Sequence, residues 1–151
     1  MENSIVAVSA ELRLGLIGPE QTVVPLMASL HYTGQDPYAI RIAFHVGTDE
    51  PVEWTLARDL LAAALHSREG IGDVQAWPSA VPEDSAAEEG IAAGTGILNI
   101  VMTSPFGRAQ FEAPASAVAG FLHRTYEIVP VGDESLFMDF DDELNELLSQ
   151  A

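Results

Sequence analysis

The chain contains no cysteine and no lysine, and only 7% of its 151 residues are aromatic. Without a thiol, disulfides, thiolate zinc sites and cysteine nucleophiles are all excluded, which agrees with a reducing compartment. Six arginines stand against 23 aspartates and glutamates, a formal net charge of −17. Such a surface repels phosphate and anionic lipid at long range, so nucleic acid is disfavoured as a partner. No apolar run approaches the ~20 residues of a membrane span, so no direct membrane insertion is expected. The opening MENSIVAVSAELRL lacks the basic segment of a secretory signal, and its apolar run is broken at Ser9, Glu11 and Arg13. A soluble, intracellular protein is expected.

What the chain does have is apolar content, 48% of its residues, in strongly periodic order. Its length fits one domain over 1–151, enough to bury roughly two thirds of the unfolded surface. Side chains alternate between two faces along a strand, so a half-buried strand alternates apolar and polar. Val6, Val8, Ala10, Leu12, Leu14 and Leu16 share one face, with Ser9, Glu11 and Arg13 on the other. Beyond a Gly18-Pro19 turn, Val24, Leu26, Ala28, Leu30 and Tyr32 repeat the pattern. Beyond Asp36-Pro37, Tyr38, Ile40, Ile42, Phe44 and Val46 repeat it again, opposite Arg41 and His45. Three such strands with short turns predict an antiparallel meander, followed by a short fourth strand through Val52 and Trp54.

From Thr55 the period becomes helical. Leu56, Leu60 and Ala64 form a stripe beside Leu61 and Leu65, with Thr55 as N-cap, His66 and Arg68 toward the C-terminal end and Gly70 as terminator. The second half is similar in kind: GDVQAWP and ILNIVMT as strands, SPFG as a tight turn and RAQFEA as the returning arm. Pro114 then opens a helix whose inner face carries Val118, Phe121, Leu122 and Thr125. The expected fold class is α+β: two antiparallel β-sheets with helices, a meander followed by a helix, twice.

Residues 78–90, PSAVPEDSAAEEG, combine two prolines with acids and no periodicity, which predicts a mobile acidic loop. Near 140–150 the tail FDDELNELLSQ places Phe140, Leu144, Leu147 and Leu148 on one stripe of a short helix. A helix of about ten residues is marginal alone, so the stripe must dock on its own domain, another subunit or a partner.

The chemistry-bearing residues form no catalytic pattern. His31, His45, His66 and His123 are accompanied by no G-x-S-x-G elbow, and His31 and His45 fall opposite the apolar strand faces. Asp139, Asp141 and Glu143 begin like a calcium loop, but Leu144 stands where that loop needs glycine, so no metal is expected. The GTG at 94–96 lacks a third glycine and a parallel-sheet context, so no cofactor is expected. Arg13, Arg41, Tyr38 and Trp54 could form only a small basic and aromatic patch. Arg58 and Asp59 are adjacent on a helix and point apart, which suits two separate contacts: Arg58 with an acid of another element, Asp59 with the first helical turn. Trp54 is read as a core or subunit anchor. Trp54, Arg58, Asp59, Leu144, Leu147 and Leu148 are the candidate partner or subunit contacts. Apolar outer residues such as Ile5, Val23 and Met27 need cover, which predicts self-association.

Five ordered blocks resemble the SsgA-like proteins: FHVG at 44–47, VEWTLARDLL at 52–61, GDVQAWPS at 72–79, SPFGRAQFEAP at 104–114 and FLHRTYEIVPVGDE at 121–134. The tail FDDELNELLSQA is similar to that of the SsgB subgroup, and the resemblance runs from about Leu12 to Ala151. It departs at Thr55-Leu56, where the family commonly has a bulkier pair, and in a longer acidic loop. The resemblance implies a non-enzymatic protein at septum sites of the cytoplasm, which controls sporulation-specific cell division in filamentous actinomycetes. It implies FtsZ as partner, with another SsgA-like protein as a second. It implies a fold similar to the whirly single-strand nucleic-acid-binding proteins and a ring-like homo-oligomer, a trimer being favoured. A single-stranded nucleic-acid-binding protein of whirly-like fold is the alternative function.

Overall fold

The computed structural model describes residues 6–45, 47, 50–80, 96–105, 107–137 and 147. Strands β1 (Ala7–Ile17), β2 (Val23–Thr33), β3 (Ala39–His45) and β4 (Val52–Ala57) lead into helix α1 (Arg58–Ala64). Strands β5 (Glu69–Ile71), β6 (Val74–Ala80), β7 (Gly96–Ser104) and β8 (Gly107–Pro114) follow, and then helix α2 (Ala115–Ile128). A helical turn occupies 134–137.

The alternation in the first half produces the meander it predicts. Val8, Leu12 and Leu14 are buried while Ser9, Glu11 and Arg13 face water, and Ala28, Leu30, Tyr32, Ile40, Ile42 and Phe44 continue the buried face. Register follows, since a one-residue slip would carry every one of these side chains to water. β1 and β2 pair along their full length, from Ala7 opposite Thr33 to Ile17 opposite Val23.

The two expected sheets are one. Eight strands run in the order β4-β3-β2-β1-β8-β7-β6-β5, all paired antiparallel. The join between the halves is short, Gly15 opposite Glu112 and Leu16 opposite Phe111. With only those two pairs, most of β1 is free of β8, and the sheet curls strongly where it passes from one half to the other. Phe44 of β3 and Phe111 of β8 stack across that curl, with centroids 4.3 Å apart and planes 16° apart. α2 packs on β1, β2, β7 and β8, and α1 on β4, β5, β6 and α2. Val118, Phe121, Leu122 and Thr125 form the buried face of α2, as their spacing predicts.

Other boundaries move for identifiable reasons. Thr55 is not a helix cap but lies in β4 opposite Arg41, and α1 begins three residues later with Ala57 at its N-cap. Leu56 and Leu60 satisfy both a two-residue and a four-residue period, so the pattern alone cannot place the change; backbone pairing with β3 does. Gly70 lies in β5 rather than ending α1, and Arg68 stacks 4.3 Å over the Trp77 ring instead of serving the helix end. β5 is three residues long with a glycine at its centre, too short to show a pattern. It is set by a two-residue turn whose Gly72 has φ +58°, the conformation this hairpin requires at its first central position. β6 continues through Pro78 to Ala80, so residues 78–80 are strand rather than loop, and 81–90 of the expected loop fall outside the described residues. Pro78 lies beyond the reach of β5, where the missing N–H costs no pairing. Pro114 ends β8 in an extended conformation, one residue before α2. Of the expected C-terminal helix, Leu144 and Leu148 lie outside the described residues, and Leu147 is exposed.

The phenylalanine stack is a core contact that bridges the two halves. Phe44→Ala or Phe111→Ala is expected to cost about 3–5 kcal/mol in denaturant unfolding followed by tryptophan fluorescence. Ser9→Ala on the outer face should stay within about 0.5 kcal/mol. Equal losses at core and outer face would refute this assignment of the core.

Candidate functional site

The main charged feature of the interior is Arg58. It opens α1 at the inner end of the β3–β4 ladder, where its N–H donates to the Tyr38 carbonyl at 2.7 Å. Its side chain is 1% exposed. One terminal nitrogen donates to the Val129 carbonyl at 2.8 Å and approaches both the carbonyl and hydroxyl of Thr125 at 3.4 Å. These acceptors lie at the C-terminal end of α2, where the Thr125 carbonyl also accepts from the Val129 N–H and the negative end of the helix dipole favours a cation. The other terminal nitrogen donates to Glu134 Oε2 at 2.7 Å. Tyr32 and Tyr126 flank the guanidinium, each ring centroid 5.0 Å from Cζ. Arg58 Nε is buried without a hydrogen-bond partner, a cost the other contacts must offset.

Each neighbour is itself constrained. Gly132, at φ +92°, turns the chain after α2 so that its N–H donates to Glu134 Oε1 at 2.9 Å. Hydrogen bonding from Arg58 holds the Glu134 carboxyl below its usual range, against the opposing effect of burial. Burial pushes the Tyr32 phenol up to about 12, and its hydroxyl donates to the Pro37 carbonyl at 2.9 Å. Burial also raises Tyr126. The arrangement clamps α1, α2 and the 134–137 turn together. Arg58 faces this interior while Asp59 is exposed in the first turn of α1.

Trp54 lies four residues earlier and faces elsewhere. It is half-buried opposite Ile42, on the core side of β4, whereas Arg13 and Arg41 are exposed on the opposite side of the sheet; the small patch considered for them does not form. Trp54 lines an open cleft of about 310 Å³ with Leu16, Phe44, Val52, Met102 and Phe111, and Ser104 and Arg108 at its polar end. The histidines on the outer face contact serines across strands: Ser9 Oγ to His31 Nδ1 at 2.8 Å, and Ser29 Oγ to His45 Nε2 at 3.0 Å. A serine and imidazole on an open sheet face form an ordinary cross-strand contact. Among the described residues no cluster of three histidines or acids could hold a metal.

The candidate residues therefore separate. Arg58 is buried, Asp59 and Leu147 are exposed, and Trp54 belongs to the cleft. Sequence reasoning did not single out Glu134, Thr125, Tyr32 or Tyr126 as parts of the clamp. A signal was present for three of them: Thr125, Tyr126 and Glu134 all lie in the block FLHRTYEIVPVGDE, and Arg58 in VEWTLARDLL. Met102, Phe111 and Arg108 join Trp54 only through the curl of the sheet, which no local pattern encodes.

A family model described as Streptomyces sporulation and cell division protein, SsgA, matches residues 26–134. The chain belongs to the SsgA family. This SsgA-family chain is 46% identical over 149 residues to the sporulation-specific cell division protein SsgB of Thermobifida fusca, covering 99% of this chain and 100% of that one. A solved SsgA-like sporulation-specific cell division protein from Thermobifida fusca superposes with a TM-score of 0.82 at 45% identity, over 97% of this chain and 98% of the other. A solved chain reported with SsgB mutations that correlate to longitudinal cell division during sporulation of Streptomyces coelicolor gives 0.78 at 41% identity, over 91% and 99%.

The clamp makes a stability prediction specific to this SsgA-family fold. Glu134→Ala leaves a buried, unpaired guanidinium and is expected to cost about 3–5 kcal/mol in denaturant unfolding, whereas R58M/E134L, which removes both charges, should lose less. An equal or greater loss in the double variant would show that the ion pair is not the governing term.

The clamp also sets a pH dependence. Glu134 has a folded value below its ordinary 4.5. Its contribution is therefore complete above that ordinary value and is lost as pH falls through the folded one. The stability of E134Q should decline less steeply below pH 4.5 than that of the parent chain in acid titration. Parallel curves would rule out this linkage.

Proposed function

We propose that this chain is a non-enzymatic scaffold of sporulation-specific cell division that helps recruit or position FtsZ at septum sites in the cytoplasm. The observation that carries the reading is end-to-end similarity to a protein named as sporulation-specific cell division protein SsgB, 46% identical over 149 residues. The buried charges support it. Arg58 and Glu134 are engaged in holding helices together, which leaves them no role at an accessible reaction centre. Another SsgA-like protein is a second partner in this reading, and the chain itself assembles as a homo-oligomer, with a trimer favoured. Exposed Val23, Val24 and Met27 on β2 supply apolar surface for such contacts.

With a net charge of −17, the chain must meet an acidic partner chiefly through apolar contacts, so added salt should weaken the association little. The test is co-sedimentation with the cognate FtsZ, with and without GTP, beside titration of a labelled single-stranded oligonucleotide. Saturable, GTP-dependent pelleting without oligonucleotide binding is expected, from a chain that sediments heavier than one 16.1 kDa protomer. Absence of pelleting at near-physiological salt overturns direct recruitment; oligonucleotide binding that falls steeply with salt supports the nucleic-acid alternative.

A further inference from the structure

We propose that the cleft lined by Trp54 receives the acidic, amphipathic C-terminal segment, residues 138–151, of a second copy of this chain. The cleft has an apolar floor of Phe44, Trp54, Met102 and Phe111, and the exposed guanidinium of Arg108 stands at its polar end. The segment is its chemical complement. Phe140, Leu144, Leu147 and Leu148 recur at the spacing of a helix that lays one face into a groove. Around them are five acids, Asp139, Asp141, Asp142, Glu143 and Glu146, and no arginine. On a chain of net charge −17 most of the surface repels such a segment, and a floor without charge beside a cation does not.

Reach at the first anchor and exposure at Leu147 favour the second copy. Phe137 packs beside Gly34 in the turn between β2 and β3, whereas the cleft lies at the other end of β3, around Phe44. From Ala39 to Phe44 the strand alone advances about 17 Å at ~3.4 Å per residue. Phe140 follows Phe137 by three residues, a reach of about 10 Å, so the first anchor of the stripe falls short of its own cleft. Leu147 is 66% exposed on the single chain, so at least this anchor is not taken up by its own domain. Exchange of the segment between copies satisfies the stripe and covers the cleft with one contact. In an assembled oligomer the high effective concentration sustains it even when the isolated contact is weak.

The absence of native cysteine makes the test direct. Two full-length variants, Ser104→Cys at the cleft and Ser149→Cys in the segment, are mixed, oxidised mildly and resolved by non-reducing gel and mass spectrometry. Cleft-to-segment disulfides should exceed both like pairings. They should disappear when the Ser149→Cys chain also carries L144D/L148D. Arg108→Glu in the cleft chain should lower them roughly five-fold, the scale of one exposed ion pair. Thermal unfolding of every variant verifies that each remains folded. Like and unlike pairings in statistical proportion, or cross-linking indifferent to L144D/L148D, overturn the proposal. A concentration-independent link within a single chain carrying both cysteines overturns it in favour of the chain's own segment. The proposal rests on the self-association proposed above but not on FtsZ, which none of these readouts involves, so its failure and that of recruitment are distinguishable.

Discussion

Arg58 is a full charge sealed from water, and burial of a charge is tolerated only when every surrounding group compensates it. Around it the end of α2 supplies carbonyls, Glu134 a carboxylate, and Tyr32 and Tyr126 the faces of their rings. Those groups come from a strand, a helix and the turn that follows it. The position of α2 over the sheet, and the course of the chain after Val129, are thus both tied to one side chain in the first turn of α1. The geometry is mutually enforcing: the turn at Gly132 presents Glu134, Glu134 neutralises Arg58, and Arg58 occupies the end of the helix from which that turn departs.

The sheet carries the second constraint. Eight antiparallel strands joined at their centre by two residue pairs cannot remain flat, and the curl brings β3 and β4 toward the β7–β8 hairpin. The apolar core continues through that gap, with Phe44 and Phe111 lining both the interior and the open cleft. Apart from the Arg58–Glu134 pair, a chain this acidic carries most of its charges on the outside, so an apolar opening with an arginine beside it is where a contact surface is least opposed electrostatically. Family membership ties this surface to a chain whose relatives are named as sporulation-specific cell division proteins.

Much of the fold was legible in advance because strands with one buried face leave a period of two in the sequence, and α2 a period near four. Val8, Leu12 and Leu14 on β1, or Val118, Phe121 and Leu122 on α2, could hardly be read otherwise. The boundaries that moved were those where two periods coincide, at Leu56 and Leu60, or where an element is too short to show one, as in β5. Two sheets were expected from two similar halves. The pairing of Gly15 and Leu16 with β8 that merges them leaves no local trace, because a strand carries the same alternation with one neighbour as with two.

The sequence by itself determined the α+β class, the order of every strand but β5 and of both helices, and the acidic surface, since these rest on composition and short-range periodicity, and it carried the family in five ordered blocks. It also implied that Arg58 would contact an acid on another element. Only the tertiary structure decided that the acid is Glu134, 76 residues away, that the helix end of α2 shares the same guanidinium, and that Trp54 opens onto a cleft rather than joining them. Contacts of that kind depend on how far a sheet curls and where a helix comes to rest, which are properties of the packed whole and are carried by no segment alone.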